Sequence, residues 1–259
     1  MTQVELKNVS VNLPIYDADS RILRKALFKR RTGGDLSIGP EVFVRALKNI
    51  SFRLEDGDRI GLIGHNGSGK TTLLRLLAGV YAPTAGEILI EGRISALLNA
   101  GLGIDMEDTG YENIANIGLM LGLTMAQVRE RRNEIGKFSG LGEYLALPVR
   151  TYSAGMLLRL SFAVVTAIEP EILLLDEGLG AGDLEFAEAA QNRIGMLIDQ
   201  VRVLVLASHS EDMIRQFCNR AVLLEQGEIV VAGHVGEVLD IYHSRNAGSQ
   251  PMRFNPDKG

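Results

Sequence analysis

The chain has 259 residues, of which 46% are hydrophobic and 23% are charged, so it can bury the core of one lobed domain. Its net charge of −5 argues against broad nucleic-acid binding, and its single cysteine, Cys218, excludes an internal disulfide and favours a buried, inert thiol. The sequence has no apolar run long enough to span a membrane, and its polar start, MTQVELKNVS, is unlike a secretory signal, so we expect a cytoplasmic protein.

Two segments near the N-terminus alternate apolar and polar residues, as half-buried strands do. They are Val4–Val11 and Ala46–Leu54, and we expect them to form an antiparallel edge. Residues 17–40, between them, are predicted to be a surface insertion that carries the basic cluster Lys29–Arg31. These cations fit the anionic headgroups of a membrane surface, and they fit a merely solvated loop equally well.

The segment at the end of the apolar strand Arg59–Gly64 matches the phosphate-binding pattern G-x-x-x-x-G-K-[ST]. Glycines are needed in such a loop because its backbone N–H groups must approach the phosphates closely. We predict that Lys70 reaches the β- and γ-phosphates of ATP and that the Thr71 hydroxyl ligates Mg²⁺, at the start of the helix-like run TTLLRLLAG. The predicted phosphate-binding residues are Gly64, His65, Asn66, Gly67, Ser68, Gly69, Lys70, Thr71 and Thr72.

Residues 103–168 are predicted to form a mainly helical subdomain within a parallel α/β core. Gly110–Gly122 and Thr124–Phe138 have spaced apolar positions among charged residues, and Thr124 suits a helix N-cap. The short apolar runs that fit buried parallel strands are Arg59–Gly64, Glu171–Leu175 and Val201–Ala207. The predicted fold class is therefore α/β: a P-loop NTPase (RecA-like) core with an antiparallel β edge and a helical subdomain.

An acidic pair follows the apolar run Ile172–Leu175. Asp176 is predicted to hold Mg²⁺ through water, and Glu177 to orient and polarise the attacking water as a general base. Alone, such a pair would fit a helix cap. Because it accompanies a phosphate loop, it predicts ATP hydrolysis and argues against a purely structural nucleotide binder.

The segment Tyr152-Ser153-Ala154-Gly155-Met156 precedes a second helix-like run. A serine and a glycine at a helix N-terminus can bind an anion, although Ser153 alone would also fit an ordinary N-cap. In its order and spacing the segment resembles the signature motif of ABC transporter ATPases, in the form YSxGM. The resemblance implies that two copies of the chain bind two ATP molecules, each between the phosphate loop of one copy and Ser153–Met156 of the other.

The same resemblance assigns two further residues. Asp183, in Gly182-Asp183, corresponds to the D-loop residue, and His209, after the strand VLVLA, corresponds to the switch histidine that contacts the γ-phosphate and water. Taken singly, Asp183 would fit a solvated surface acid and His209 a strand-end histidine without a role.

Several stretches resemble, more narrowly, the ATPase subunits that export O-antigen, capsule or teichoic-acid polysaccharides. These stretches are ALKNISF, GDRIGLIGHNGSGKTTLLRLLAGVYAPTAG, TGYENI and YSAGM, together with ALLNAGLG at 96–103, where other ABC ATPases carry a glutamine. Asn99 is the nearest polar candidate for that glutamine, and a glycine-rich surface facing the membrane partner is the alternative. The family pattern indicates Tyr16, with Phe43 second, as the adenine-stacking aromatic, although a tyrosine near a strand end also fits a small apolar cluster.

This resemblance also implies partners. We expect a homodimer that drives a transmembrane permease dimer from the cytoplasmic face of the inner membrane, with lipid-linked polysaccharide, O-antigen first, handled mainly by the permease and no nucleic-acid partner. Some members of the group continue into a glycan-reading β-sandwich, and we expect the short form: one nucleotide-binding domain over 1–245 and a disordered tail at 246–259. The competing class is a soluble ABC ATPase acting on DNA or ribosomes, which would need coiled-coil insertions or two cassettes in one chain.

Overall fold

The computed structural model describes residues 2–14, 35–38, 42–97, 103–176 and 184–247. Four predicted site residues lie outside these ranges: Tyr16, Asn99, Glu177 and Asp183. The basic cluster Lys29–Arg31 also lies outside them, as does the predicted tail from residue 248 onward.

The described elements begin with four strands, and helices and strands are interspersed after them. The strands are β1 (Gln3–Pro14), β2 (Asp35–Ile38), β3 (Val42–Glu55), β4 (Arg59–Ile63), β5 (Ala85–Glu91), β6 (Ile94–Leu97), β7 (Ile172–Asp176), β8 (Val203–Ala207), β9 (Arg220–Glu225) and β10 (Glu228–His234). The helices are α1 (Lys70–Leu77), α2 (Gly110–Met120), α3 (Met125–Ser139), α4 (Ala154–Thr166), α5 (Leu184–Gln200), α6 (Glu211–Phe217) and α7 (Val235–Ala247). Short 3₁₀ turns at Gly142–Ala146 and Val149–Thr151 connect α3 to α4.

A four-stranded antiparallel sheet has the order β2-β3-β1-β5. Val4 of β1 lies opposite Leu54 of β3, which confirms the predicted antiparallel edge. Alternation along β1, with a register shift between Leu6 and Val9, directs Val4, Leu6, Val9 and Val11 into the core. Strand β2 falls inside the predicted insertion 17–40, so part of that segment pairs with β3 and extends the sheet.

The second sheet has six strands in the order β10-β9-β4-β8-β7-β6. Neighbours from β9 to β6 pair in parallel, whereas β9 and β10 form an antiparallel hairpin. Strands β4, β7 and β8, the predicted parallel core, are buried along almost their whole length. Their continuous apolar sequence follows from that burial, since both faces of a parallel sheet are covered.

The helical subdomain consists of α2, α3 and α4, and it confirms the helices predicted between residues 103 and 168. Thr124 is the N-cap of α3, as predicted, and forms a capping box with Gln127. Thr109 and Glu112 form the same motif at the start of α2. Three rings then join the subdomain to α5, because Phe162 of α4 lies 6.0 Å from Phe138 and 5.7 Å from Phe186.

Cys218 is buried, as the sequence predicted, and burial raises the pKa of its thiol to about 12. Helix α7 continues to Ala247, so it extends two residues into the predicted tail. Among the helices within the described ranges, none combines the length and apolar character needed to cross a bilayer.

Candidate nucleotide-binding site

The predicted phosphate loop connects β4 to α1, as the mechanism requires. Gly64 has a φ of +147°, and a Cβ there would lie 2.2 Å from the Leu224 carbonyl oxygen and 2.7 Å from the Ser68 hydroxyl. Gly67 and Gly69 also have positive φ values, +79° and +111°. Glycine is therefore needed at Gly64 for space and at all three positions for conformation.

Lys70 is the first residue of α1, and its ammonium group folds back over the loop. The Nζ atom donates to the carbonyl oxygens of Gly64 at 2.6 Å and His65 at 3.2 Å. The Ser68 hydroxyl is buried and has no hydrogen-bond partner among the described residues. A cation, an unsatisfied hydroxyl and the N–H groups that begin α1 are thus gathered in one loop, which suits a phosphate chain.

The donor set next to the loop fits a magnesium ion. The Thr71 hydroxyl donates to Asp176 Oδ2 at 2.9 Å, so two hard oxygen donors from α1 and β7 meet at this point. Mg²⁺ is commonly held by one or two carboxylates plus substrate phosphates, and the described residues contain no cluster of three acidic, histidine or cysteine side chains that would suggest another metal. Thr71 and Asp176 are therefore the residues that would hold Mg²⁺.

Strand β8 lies between β4 and β7 and brings His209 to the same edge of the sheet. Ala207, the last residue of β8, pairs with Leu62 on one side and with Asp176 on the other. His209 follows two residues later and is exposed. Because parallel strands present their carboxyl ends at one edge, the phosphate loop, Asp176 and His209 converge there, and Glu177 is the residue after Asp176 in the sequence.

The YSAGM segment begins α4 in the helical subdomain. Ser153 is its N-cap, and the Ser153 hydroxyl accepts a hydrogen bond from the Met156 N–H at 3.2 Å. Ser153 and Ala154 are exposed, whereas Tyr152 is buried and its hydroxyl donates to the Tyr144 carbonyl at 2.6 Å. The described contacts of Tyr152 are thus with the core of the subdomain, and the exposed helix start remains available to a second molecule.

The turn between β9 and β10 supports the phosphate loop, which could not be predicted from the sequence. The Gly227 N–H donates to the Ser68 carbonyl at 2.9 Å, and the Gly227 carbonyl accepts from the Lys48 N–H at 2.8 Å. Gly227 has a φ of +82°, and a Cβ there would lie 2.6 Å from the Ala46 carbonyl oxygen. The pair Gln226-Gly227 between two apolar runs is a signal for a hairpin turn, but it does not reveal what the turn contacts.

Known proteins of similar sequence identify the family of this chain. The family profile described as "ABC transporter" matches residues 47–180. The O-antigen export system ATP-binding protein RfbE of Yersinia enterocolitica is 48% identical over 231 residues, which cover 88% of this chain and 97% of the relative. The chain belongs to the ABC transporter family of ATP-binding proteins.

Two further relatives of this ABC transporter protein are longer than the chain. RfbB of Myxococcus xanthus, another O-antigen export system ATP-binding protein, is 41% identical across 82% of this chain and 49% of its own length. The teichoic acids export ATP-binding protein TagH of Bacillus anthracis is 34% identical across 93% of this chain and 42% of its own length. The chain therefore spans half or less of these two proteins.

Solved structures confirm the fold of this ABC protein. A dimeric ATP-binding cassette in a post-hydrolysis state, bound to ADP and phosphate, has a TM-score of 0.64 at 22% identity and covers 90% of this chain and 98% of its own. The ATP-binding subunit of an ABC transporter has a TM-score of 0.66 at 20% identity and covers 93% of this chain and 94% of its own. At these identities the likeness concerns the fold.

Proposed function

We propose that this ABC protein hydrolyses ATP as a pair of identical subunits and that closure of the pair drives polysaccharide export through a separate membrane permease. The observation that carries the proposal is the meeting of the phosphate loop with Asp176, where the Thr71 hydroxyl lies 2.9 Å from the carboxylate. That contact joins a triphosphate cradle to the group that would fix Mg²⁺, as P-loop hydrolysis requires.

In the proposed reaction the loop N–H groups and Lys70 bind the phosphates and stabilise the charge that develops on them. Thr71 and Asp176 would hold Mg²⁺, which would supply further charge neutralisation when bound. Glu177 accepts a proton as a water oxygen bonds to the γ-phosphorus and the bond to the β–γ bridging oxygen breaks, which releases ADP and phosphate. His209 contacts the γ-phosphate and orients that water.

The second subunit completes each site in this proposal. Ser153 and Ala154 lie exposed at the N-terminal end of α4, where the helix dipole and unpaired N–H groups favour an anion. This end binds the γ-phosphate held by the other copy, and Asp183 is the D-loop residue. Tyr16 stacks on adenine, and Asn99 stands where other members carry the glutamine.

O-antigen, carried on a lipid, is the proposed cargo, because RfbE is the relative that matches this chain at 48% identity over 97% of its length. The similarity to TagH supports teichoic acid as a second candidate. In either case the protein works at the cytoplasmic face of the cell membrane, and the permease handles the glycan.

The test of this proposal is the E177Q variant. We expect it to lose ATP turnover by a factor of about 10²–10⁴, the usual contribution of a general base, and to elute as a dimer in ATP and as a monomer in ADP. The matched control is K70A, which should neither hydrolyse ATP nor dimerise. An E177Q monomer that hydrolyses ATP at the wild-type rate would contradict the proposal.

The cargo needs a separate experiment. We expect a strain that carries K70A to accumulate a lipid-linked glycan inside the cell, and mass spectrometry would identify it. A strain that accumulates no glycan would contradict the proposed cargo and leave the ATPase assignment intact.

A further inference from the structure

The C-terminal helix α7 contacts the phosphate loop through one aromatic side chain. The ring of Tyr242 lies 5.6 Å from the ring of His65, centroid to centroid, with the planes inclined by 50°. This is the range in which tilted aromatic pairs attract each other. His65 is the second residue of the loop, and its carbonyl oxygen accepts the 3.2 Å hydrogen bond from Lys70 Nζ. Tyr242 therefore touches the residue whose backbone holds the phosphate-binding lysine.

Helix α7 is fixed firmly enough to act as a support. Its inner face buries Val238 and Leu239 against the parallel sheet. One turn beyond Tyr242, Arg245 makes two hydrogen bonds of 3.0 Å to the carboxylate of Glu225, at the end of β9. A two-point contact between a guanidinium and a carboxylate fixes orientation as well as distance. The position of Tyr242 is thus set by the sheet that also positions the loop.

The same helix is tied to the segment that follows His209. His243, next to Tyr242, lies within 2.9 Å of Glu211, Nε2 to Oε1. Glu211 is the first residue of α6, which begins directly after the N-cap Ser210. Two successive residues of α7 therefore contact the phosphate loop on one side and the helix that starts beside His209 on the other.

We propose that Tyr242 is a positioning residue for ATP: it holds His65, and with it the phosphate loop, in the conformation that binds the phosphates. This inference rests on the proposed ATPase function. Neither the phosphate-loop pattern nor the signature segment includes Tyr242, and its hydroxyl is not needed for the ring contact. The contact is made by the ring, so phenylalanine should replace tyrosine and an aliphatic residue should not.

The experiment measures ADP and ATP binding to the full chain by isothermal titration calorimetry in the presence of Mg²⁺. We expect Y242A to weaken binding of both nucleotides by roughly three- to tenfold, the range that corresponds to one aromatic pair. In hydrolysis assays KM should rise by a similar factor while kcat stays near the wild-type value. Y242F should keep the wild-type affinity for both nucleotides. The matched control is I241A, because Ile241 is the preceding residue of α7 and is exposed.

Proton NMR of the histidine rings tests the contact between Tyr242 and His65 independently of nucleotide affinity. The chain has four histidines, so the His65 signal can be assigned with an H65Q variant. In Y242L the His65 ring signal should move because the neighbouring ring current is lost, whereas in Y242F it should stay in place.

Each outcome decides the question. If Y242A binds both nucleotides as tightly as wild type, or if I241A weakens binding as much as Y242A does, the inference is wrong and the ATPase function is unaffected. If Y242A lowers the melting temperature without changing nucleotide affinity, Tyr242 only stabilises α7, which also overturns the inference. If the wild-type chain itself binds no ATP, the proposed ATPase function is wrong, and the inference that rests on it is wrong as well.

Discussion

Replacing Gly227 by alanine tests whether the turn between β9 and β10 supports the phosphate loop. Gly227 has a φ of +82°, and the new Cβ would lie 2.6 Å from the Ala46 carbonyl oxygen and 3.1 Å from its carbonyl carbon. Both obstacles are backbone atoms, which cannot rotate away as a side chain would. The turn must therefore move, and it must carry with it the 2.9 Å hydrogen bond that Gly227 donates to Ser68.

The magnitude follows from two contributions. A left-handed conformation costs a residue with a Cβ about 1–2 kcal/mol relative to glycine. Forcing an extra carbon into a packed site costs about 1–3 kcal/mol more. We therefore expect G227A to lower the free energy of unfolding by about 2–5 kcal/mol, and to weaken ADP binding by roughly tenfold or more because the loop is displaced.

The matched control is G57A. Gly57 lies in the turn before β4, at the end of that strand remote from the phosphate loop, and has a φ of +94° with no atom within 4 Å of a new Cβ. It carries the conformational cost without the collision, so we expect a loss of about 1–2 kcal/mol and unchanged ADP affinity.

Urea unfolding measures the stability of both variants, and isothermal titration calorimetry measures their ADP affinity. The reasoning would be refuted if G227A and G57A lost equal stability, within about 0.5 kcal/mol, and bound ADP alike.

Two further predictions concern the helical subdomain. F162A should lower the free energy of unfolding by about 3–5 kcal/mol in urea, because Phe162 is buried between two other rings; a loss below about 1 kcal/mol would contradict that packing. Hydrogen bonds from the Thr109 N–H and hydroxyl hold the pKa of Glu112 below its usual value, so its stabilisation is present at neutral pH and is lost as the pH falls through that lowered pKa. E112Q should therefore be less stable than wild type near pH 7 in urea unfolding, and the difference in stability should disappear in acid. A difference in stability that grows in acid would contradict a lowered pKa of Glu112.

Features that depend on residues close together in the sequence could be predicted from it. The phosphate loop, the strand before Asp176 and the helices capped by Thr109 and Thr124 depend on neighbouring residues, so periodicity and motif spacing locate them. Assigning Thr71 and Asp176 to one magnesium ion also predicted that they meet, and the structure places the Thr71 hydroxyl 2.9 Å from Asp176.

Contacts between remote segments could not be predicted in this way. Gly227 and Tyr242 reach the phosphate loop only because β9 pairs with β4 and α7 packs on the same sheet. Strand order is decided by packing of the whole core, and a short apolar run such as Arg220–Glu225 fits several positions in a sheet. The burial of Tyr152, the first residue of the signature segment, was not foreseen either, because it depends on the space that Gly110 leaves for the Tyr152 hydroxyl.

The central claim, that each ATP site is shared between two copies, is tested most directly by mixing two inactive variants. K70A disables the phosphate loop, and S153R blocks the exposed start of α4, so neither variant alone should hydrolyse ATP. A mixed dimer keeps one intact site, made by the phosphate loop of the S153R copy and the start of α4 of the K70A copy. Mixing should therefore restore ATP turnover, to at most about half of the wild-type rate for independent sites. Wild-type turnover by S153R alone, or no recovery on mixing, would contradict the shared site.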